Sequence, residues 1–125
     1  HNRVAVVAAL LELGADANAH VKRSRAPLRV SADAGFTKIV TLLLENGADI
    51  EARSDAVPRL TALHFAALKG HRDTVAALLG RGASVDASTT HLWTPLHYAA
   101  RHGHEGVVVE LLSRGASVHA RSADG

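Results

Sequence analysis

The sequence predicts an all-α solenoid in which short helix–turn–helix units stack on one another and are joined by hairpin-like finger loops. Three features indicate it: segments that recur at a nearly constant period, apolar residues at helical spacing within each period, and a composition that is 47% apolar but only 3% aromatic. A core of Ala, Leu and Val suits closely stacked helices better than a β-sandwich, which favours aromatic and β-branched residues. The 125 residues are enough for one domain with a continuous core.

Three sequence markers recur along the chain in the same order. Gly-Ala pairs begin 33, 35 and 33 residues apart, at Gly14, Gly47, Gly82 and Gly115. A helix-start marker begins at Ala26, Thr61 and Thr94, and a single glycine follows each of them nine residues later. That glycine always precedes the next Gly-Ala pair by twelve residues. Self-similarity at this period is the signature of a repeat architecture.

The variation in period lies entirely between Ala52 and Thr61, where the second full unit has two extra residues. One residue inserted into a helix would turn the following apolar face by about 100° away from its neighbour. A loop accommodates two residues at little entropic cost. We therefore predict helices in the constant stretches and a finger loop at residues 53–60.

Local signals in the last unit predict two short helices. Thr94 suits an N-cap, Pro95 the first helical position and Gly103 the left-handed residue that ends the helix. The first helix has one apolar face, made of Leu96, Ala99 and Ala100. The second helix ends at Gly115, and its predicted buried stripe is Val107, Val108, Leu111 and Leu112, which recurs as Val75, Leu78, Leu79 and as Ile39, Val40, Leu43. Helices this short are not stable alone, so each unit needs its neighbours to cover its apolar faces.

The helix-start segments carry a recognisable motif. Residues 61–71 read Thr-Ala-Leu-His-x-Ala-Ala-x-x-Gly-His, and residues 94–104 read Thr-Pro-Leu-His-x-Ala-Ala-x-x-Gly-His. Together with the Gly-Ala-Asp/Ser that closes each unit, they resemble the ankyrin repeat over essentially the whole chain. The resemblance implies a single domain at 1–125, with full repeats at 21–53, 54–87 and 88–120, a partial repeat at 1–20 and the start of another at 121–125. Because polar capping units are absent, we expect a piece of a longer array.

The first full unit departs from this pattern. Ala26 stands at the N-cap position, Arg29 replaces the motif histidine and Ser31 replaces an alanine. Loss of an N-cap costs about 1 kcal/mol. We therefore predict that residues 21–53 form the least stable of the three full units. Hydrogen exchange measures this ranking directly, and stronger protection there than at 88–120 would contradict it.

No residue pattern in the chain indicates catalysis or cofactor binding. The chain has no cysteine, and its glycines form neither a phosphate-binding loop nor a nucleophile elbow. The resemblance implies that His64 and His97 bond to the preceding Thr hydroxyl and the local backbone, and that His71 and His104 lie at the turn between helices. Because these four recur once per unit, we interpret them as structural rather than as metal ligands. We therefore predict a protein that is not an enzyme and has no cofactor, metal or small-molecule substrate.

The resemblance also implies a concave front, made of finger loops and first helices, and a convex back made of second helices. The front segments 20–35, 52–70 and 87–103 carry eight basic and two acidic residues, whereas the remainder carries six basic and ten acidic residues. A basic front would favour a partner with an acidic surface. The alternative is that these charges only keep the protein soluble.

One position in each finger, just before the helix-start marker, holds Arg25, Leu60 or Trp93. Trp93 is the single tryptophan, and the repeat pattern places it outside the core. We interpret it either as an interface anchor, since Trp and Arg dominate binding hot spots, or as a side chain that packs on the neighbouring finger. With His91 beside it and the exposed row on the first helices, the candidate partner-binding residues are Arg25, Leu60, Leu68, Lys69, His91, Trp93, Arg101 and His102.

The sequence thus predicts a protein–protein interaction module, or scaffold, that binds another protein through its concave face. Two alternatives stay open: the basic front binds nucleic acid or anionic lipid, or the units form a structural spacer within a multidomain protein. Against nucleic acid, no basic run exceeds two adjacent residues and only Trp93 offers a stacking surface. We expect an intracellular location, in cytoplasm or nucleus, since the chain shows no cysteine, no secretory signal and no apolar run near the ~20 residues that span a bilayer.

Overall fold

The computed structural model describes residues 27–55 and 57–118. This part of the chain contains six helices: α1 Pro27–Ala34, α2 Thr37–Glu45, α3 Ala62–Lys69, α4 Arg72–Gly80, α5 Pro95–Arg101 and α6 Glu105–Ser113. They form three pairs in two layers, because α1, α3 and α5 contact one another in that order and α2, α4 and α6 do the same. The described residues include no β-strand. The predicted all-α solenoid is confirmed, whereas Arg25, Ala26 and the partial repeats at 1–20 and 121–125 lie outside the described residues.

Helices α3 and α5 begin with the same side-chain arrangement. The Thr61 hydroxyl accepts the backbone N–H of His64, and Nδ1 of His64 accepts the backbone N–H of Thr61 at 3.1 Å. Thr94 and His97 repeat this reciprocal capping box, with 2.9 Å between the Thr94 nitrogen and Nδ1 of His97. Each box satisfies two backbone N–H groups that the first turn of a helix leaves without a partner. The bonds expected of these histidines are confirmed.

The second helices are preceded by histidines that reach back to the previous unit. Nε2 of His71 lies 2.8 Å from the carbonyl oxygen of Asp33, and Nε2 of His104 lies 2.9 Å from that of Leu68. The His104 imidazole also lies against Gly70, whose φ is +78°, so that a Cβ added to Gly70 would come within 2.6 Å of Nδ1. These histidines therefore stand at the turns between helices, as expected, and join adjacent units.

Replacing Gly70 by Ala is expected to lower the free energy of unfolding by about 2 kcal/mol. About half of this loss comes from placing a side chain at positive φ, and the remainder from displacing the His104 imidazole. Gly103 is a matched control, since its φ is +72° but nothing lies within 4 Å of an added Cβ. Urea denaturation of Gly70→Ala and Gly103→Ala measures both losses, and equal losses would contradict the role given to the His104 contact.

The core is one continuous cluster of small aliphatic side chains that runs through all three helix pairs. In the second helices the buried members are Ile39, Val40, Leu43, Val75, Leu78, Val107 and Leu111. Leu79 and Val108 are partly buried against them. The predicted helical stripes are therefore confirmed at these positions.

Two predicted core residues of the third unit are exposed instead. Leu112 is 40% exposed, whereas Leu79, at the same place in the second unit, packs against the core. Ala100 is likewise exposed, whereas its counterpart Ala67 is fully buried. The difference arises because a following helix pair covers Leu79 and Ala67, while α5 and α6 are the last helices among the described residues.

The finger loops of the second and third units are closed by matching hydrogen bonds. The Ser54 N–H donates to the Leu60 carbonyl at 2.9 Å, and the Thr89 N–H donates to the Trp93 carbonyl at 2.9 Å. Five residues lie between the members of the first pair and three between those of the second. The two extra residues of the second unit therefore lie inside its finger, where the sequence places them.

The first described helix pair carries the substitutions noted in the sequence. Arg29, at the position of His64 and His97, is only 2% exposed, and Ser31 is also buried. Burial lowers the pKa of Arg29, and the charge of Asp55 opposes this shift. A buried guanidinium at the place of a neutral imidazole is consistent with a weaker unit, and the stability ranking stays a prediction.

Candidate functional site

A hollow of about 400 Å³ lies between the third finger and helix α5. Its lining consists of His91, Trp93, Tyr98, Arg101 and His102, and it is called the Trp93 hollow below. Four of these five residues belong to the partner-binding set predicted from the sequence, and the fold brings them together. Both elements that form the hollow, a finger loop and a first helix, belong to the front that the resemblance implies to be concave.

Trp93 is half-buried and forms the aromatic floor of the hollow. Its ring centroid lies 5.1 Å from that of Tyr98 and 5.7 Å from that of His97, both in tilted orientations. The guanidinium carbon of Arg101 lies 5.5 Å from the Trp93 ring centroid. These ring and cation contacts are with the first helix of its own unit.

The backbone of Trp93 is fixed on both sides of the residue. Its N–H donates to Oγ1 of Thr89 at 3.1 Å, and its carbonyl accepts the Thr89 N–H. Nε2 of His64, in the second unit, lies 3.2 Å from the same carbonyl. Because Nδ1 of His64 accepts a backbone N–H, Nε2 carries the proton and donates here. The indole is thus held in place before any partner arrives.

Thr89 also fixes the second aromatic ring of the hollow. It is only 3% exposed, and its side chain is hydrogen-bonded to the Tyr98 hydroxyl. Burial raises the pKa of Tyr98, and the bond to Thr89 partly opposes this shift, so the phenol is protonated at neutral pH. The sequence reasoning missed both residues. The recurrence of a hydroxyl side chain at Ser54 and Thr89, one per finger, was a signal that could have identified Thr89.

The cations of the concave face differ in what they contact. Lys69 lies 3.7 Å from a carboxylate oxygen of Asp33, and Nη1 of Arg53 donates to the carbonyls of Arg59 at 3.1 Å and Ser88 at 2.8 Å. Arg101 stacks on Trp93, and within the described residues it has no carboxylate at salt-bridge distance. Within the described residues Arg59, exposed in the second finger, also has no carboxylate at salt-bridge distance, but Arg101 is the cation that lines the Trp93 hollow.

The two histidines of the hollow are at its rim. His91 is exposed, and its backbone N–H donates to Oγ1 of Thr89 at 3.3 Å. His102 is also exposed, and its ring stacks on that of His104 with 6.2 Å between centroids. Both side chains line the hollow together with Arg101.

The other predicted site residues do not line the hollow. Leu60 is half-buried at the base of the second finger, where its N–H donates to Oγ of Ser54 at 2.9 Å. Leu68 is half-buried, and its carbonyl accepts the bond from His104. Lys69 is exposed but paired with Asp33, and Arg25 lies outside the described residues. The candidate site is therefore concentrated in the third unit.

Residues 27–55 and 57–118 show neither a metal-binding cluster nor a membrane-spanning helix. They contain no group of three or more His, Asp or Glu side chains placed to hold a metal ion. None of their helices has the length and apolar character needed to cross a bilayer.

Comparison with known proteins identifies the repeat. A family model described as "Ankyrin repeats (3 copies)" matches residues 51–122, and one described as "Ankyrin repeat" matches residues 25–55. The chain is 40% identical over 81 residues, 65% of its length, to "Ankyrin repeat and KH domain-containing protein mask" of Drosophila melanogaster. It is 37% identical over 93 residues, 74% of its length, to the human "Ankyrin repeat and KH domain-containing protein 1".

A further relative is "Probable E3 ubiquitin-protein ligase XBOS31" of Oryza sativa subsp. japonica, at 33% identity over 74% of this chain. The matched regions are small parts of all three proteins: 2% of the Drosophila protein, 4% of the human protein and 21% of the rice protein.

Proposed function

Because this chain belongs to the ankyrin-repeat family, whose repeats are generally protein–protein interaction modules and typically non-enzymatic, we propose that it binds another protein through its concave face. The finger loops and the first helices form this face. Within this face, the Trp93 hollow makes the strongest contact with the partner protein. The KH domains and ligase activity named for the relatives belong to those proteins, of which the matched repeats are a small part.

The observation that carries this proposal is the fixed aromatic–cation pair of Trp93 and Arg101. Both residue types are enriched in binding hot spots, and both are accessible in a concave site. Three hydrogen bonds, two with Thr89 and one with Nε2 of His64, hold the Trp93 backbone, so little conformational entropy is lost when a partner binds. Leu92, 53% exposed at the finger tip, extends the apolar surface beyond the hollow.

The test compares a concave variant with a convex one. The full chain, the double variant Trp93→Ala/Arg101→Ala and the double variant Arg72→Ala/Arg81→Ala are used to capture proteins from a cell extract. Affinity for each captured, purified protein is then measured with all three. We expect the concave variant to weaken binding at least about tenfold and the convex variant to leave it unchanged.

The convex variant is a suitable control because Arg72 and Arg81 are similarly exposed and lie on the second-helix layer, where they pair with Glu110 and Glu45. Equal losses in both variants, or no loss in the concave one, would contradict the proposed face. Capture of nothing by the intact chain would favour the structural-spacer alternative. Strongly salt-dependent binding to bulk DNA or RNA would favour the nucleic-acid alternative.

We further propose that another helix pair covers the exposed end of the stack at α5 and α6, as part of a longer array. An open, mainly apolar hollow of about 350 Å³ lies there, lined by residues that include Ala100, Val108 and Val109. No atom of the described residues lies within 4 Å of a Cβ added to Gly103, whereas the equivalent space beside Gly70 holds the His104 imidazole. A histidine from a following unit would fill it in the same way.

The test adds a second copy of residues 88–120 after residue 120 of the chain. The substitution Gly103→Ala is then expected to become as destabilising as Gly70→Ala, because the histidine at the start of the added second helix would lie against it. An unchanged effect of Gly103→Ala in the extended chain would show that this face does not receive a further unit in the same manner.

A further inference from the structure

The Trp93 hollow also indicates the chemistry of its partner. We infer that it binds an acidic segment of a protein, in which a Glu or Asp carboxylate pairs with Arg101 and the next, apolar side chain packs on Trp93 and Tyr98. This inference rests on the proposed function and names the type of contact that the concave face makes. Its first basis is the way Arg101 is held.

Arg101 lies over the indole, and within the described residues no carboxylate is at salt-bridge distance from it. A guanidinium has five N–H donors in its plane, and stacking on an aromatic ring occupies the flat face of the group and not those donors. With its guanidinium carbon 5.5 Å from the Trp93 ring centroid, Arg101 is oriented by the indole. A carboxylate accepts two parallel N–H bonds from such an edge, which is the strongest pairing that an exposed arginine forms.

The second basis is the distribution of charge along the concave face. Lys69 is already paired with Asp33, and Arg53 donates to two backbone carbonyls inside the fingers. Among the acidic residues nearest in sequence to the hollow, Glu105 is exposed at the start of α6 and is not at salt-bridge distance from Arg101. Asp86 accepts the N–H of Ser117 at 2.9 Å, and Glu110 pairs with Arg72 and Arg114 on the second-helix layer. Arg101 therefore offers an acidic segment a cation that has no carboxylate partner and lies beside aromatic surface, whereas Lys69 is already paired.

The third basis is the apolar surface that surrounds the cation. Trp93 and Tyr98 are each only partly buried, and Leu92 adds an exposed aliphatic side chain at the finger tip. Their carbon surface beside Arg101 lowers the exposure of a bound carboxylate to water, which strengthens the ion pair. A purely acidic run would leave this surface uncovered, so the segment needs an apolar residue next to its carboxylate.

The test uses three pools of fluorescein-labelled, capped heptapeptides that are degenerate except at two central positions. In the first pool these positions are Glu-Leu. In the second they are Gln-Leu, which lacks the negative charge, and in the third they are Glu-Ser, which lacks the apolar side chain. Binding to the full chain is measured by anisotropy. Unlabelled pools are also titrated while the emission of Trp93 is followed, since Trp93 is the single tryptophan and reports the hollow directly.

We expect the Glu-Leu pool to bind about tenfold more tightly than either of the other pools. Arg101→Lys keeps the charge but removes the two parallel donors, so it should reduce Glu-Leu binding to about the level of Gln-Leu, a roughly tenfold loss. Lys38→Gln is the control, because Lys38 is an exposed cation on the second helix α2 and does not line the hollow, and it should leave all three affinities unchanged. The Glu-Leu pool should also change the emission of Trp93.

Equal binding of the Glu-Leu and Gln-Leu pools, or an unaltered Glu-Leu affinity in Arg101→Lys, would overturn the inference. Peptide binding that leaves Trp93 emission unchanged would also overturn it. So would a single-stranded oligonucleotide that quenches Trp93 emission with a lower Kd than that of the Glu-Leu pool. These results are independent of the comparison between concave and convex variants. If the concave variant no longer binds its partner but the peptide pools do not bind as expected, the proposed face is retained and only the acidic segment is rejected.

Discussion

Acidification from pH 6.5 to pH 4 is expected to lower the free energy of unfolding by about 3 kcal/mol through His64 alone. His64 is completely buried at the start of α3, and burial lowers its pKa from 6.5 to about 4. Backbone hydrogen bonds to Ala87 and Trp93 oppose this shift, and the charge of Arg53 adds to it. The capping box also requires a neutral imidazole, because Nδ1 must be unprotonated to accept the Thr61 N–H.

The direction of this pH dependence follows from proton binding in the two states. Above pH 6.5 the imidazole is neutral in both, so His64 contributes no pH dependence. Between pH 6.5 and 4 the unfolded chain binds a proton that the folded chain does not, and stability falls as pH falls. Below pH 4 both states are protonated and the loss is complete.

The measurement is urea denaturation of the wild type, His64→Gln and His91→Gln at pH values from 7.5 to 4. His64→Gln should be less stable at pH 7.5, and its deficit relative to wild type should shrink as the pH falls, since it lacks the titrating group. His91→Gln replaces an exposed histidine and should keep the wild-type pH dependence. A deficit of His64→Gln that stays constant over this range would show that the buried imidazole is not the source.

The substitution Leu78→Ala is expected to lower the free energy of unfolding by about 3 kcal/mol. Leu78 is completely buried in α4, which contacts α3 within its own unit and the second helices α2 and α6 on either side. The cavity left by the missing methyl groups therefore weakens two unit interfaces at once. Because each unit depends on its neighbours, we expect the whole chain to lose stability rather than one helix.

Leu112→Ala is the matched control for Leu78→Ala. Both leucines belong to predicted buried stripes, but Leu112 is 40% exposed at the end of the described stack. Its truncation should therefore cost well under half as much, on the order of 1 kcal/mol. Thermal or urea denaturation measures both, and a loss for Leu112→Ala that equals the loss for Leu78→Ala would mean that Leu112 is covered in solution.

The regular features of the fold could be predicted because they depend on local chemistry that recurs. Thr94, Pro95 and His97 specify a helix start by themselves, and Thr61 and His64 repeat it at the same spacing. Helical periodicity identified the apolar stripes. Periodicity does not show which apolar stripe is covered by a neighbouring helix pair, so Leu112 was wrongly predicted to be buried.

The candidate site was only partly predictable, because it depends on how a loop folds back on a helix. The sequence indicates that Trp93 lies outside the core, but its contact with Tyr98 requires the finger to close between Thr89 and Trp93. Similarly, the sequence shows Lys69 and Arg101 as two basic residues of one face. Only the spatial position of Asp33 distinguishes the paired cation from the one that stacks on the indole.

The most direct test of the central claim is a hydrogen-exchange footprint of the full chain bound to a captured, purified partner. The account predicts slower exchange in the complex at the backbone amides of the third finger and of α5, around Trp93 and Arg101. It predicts no change at the amides of the second helices α2 and α4. Slowing confined to the second helices, with the third finger unaffected, would contradict it.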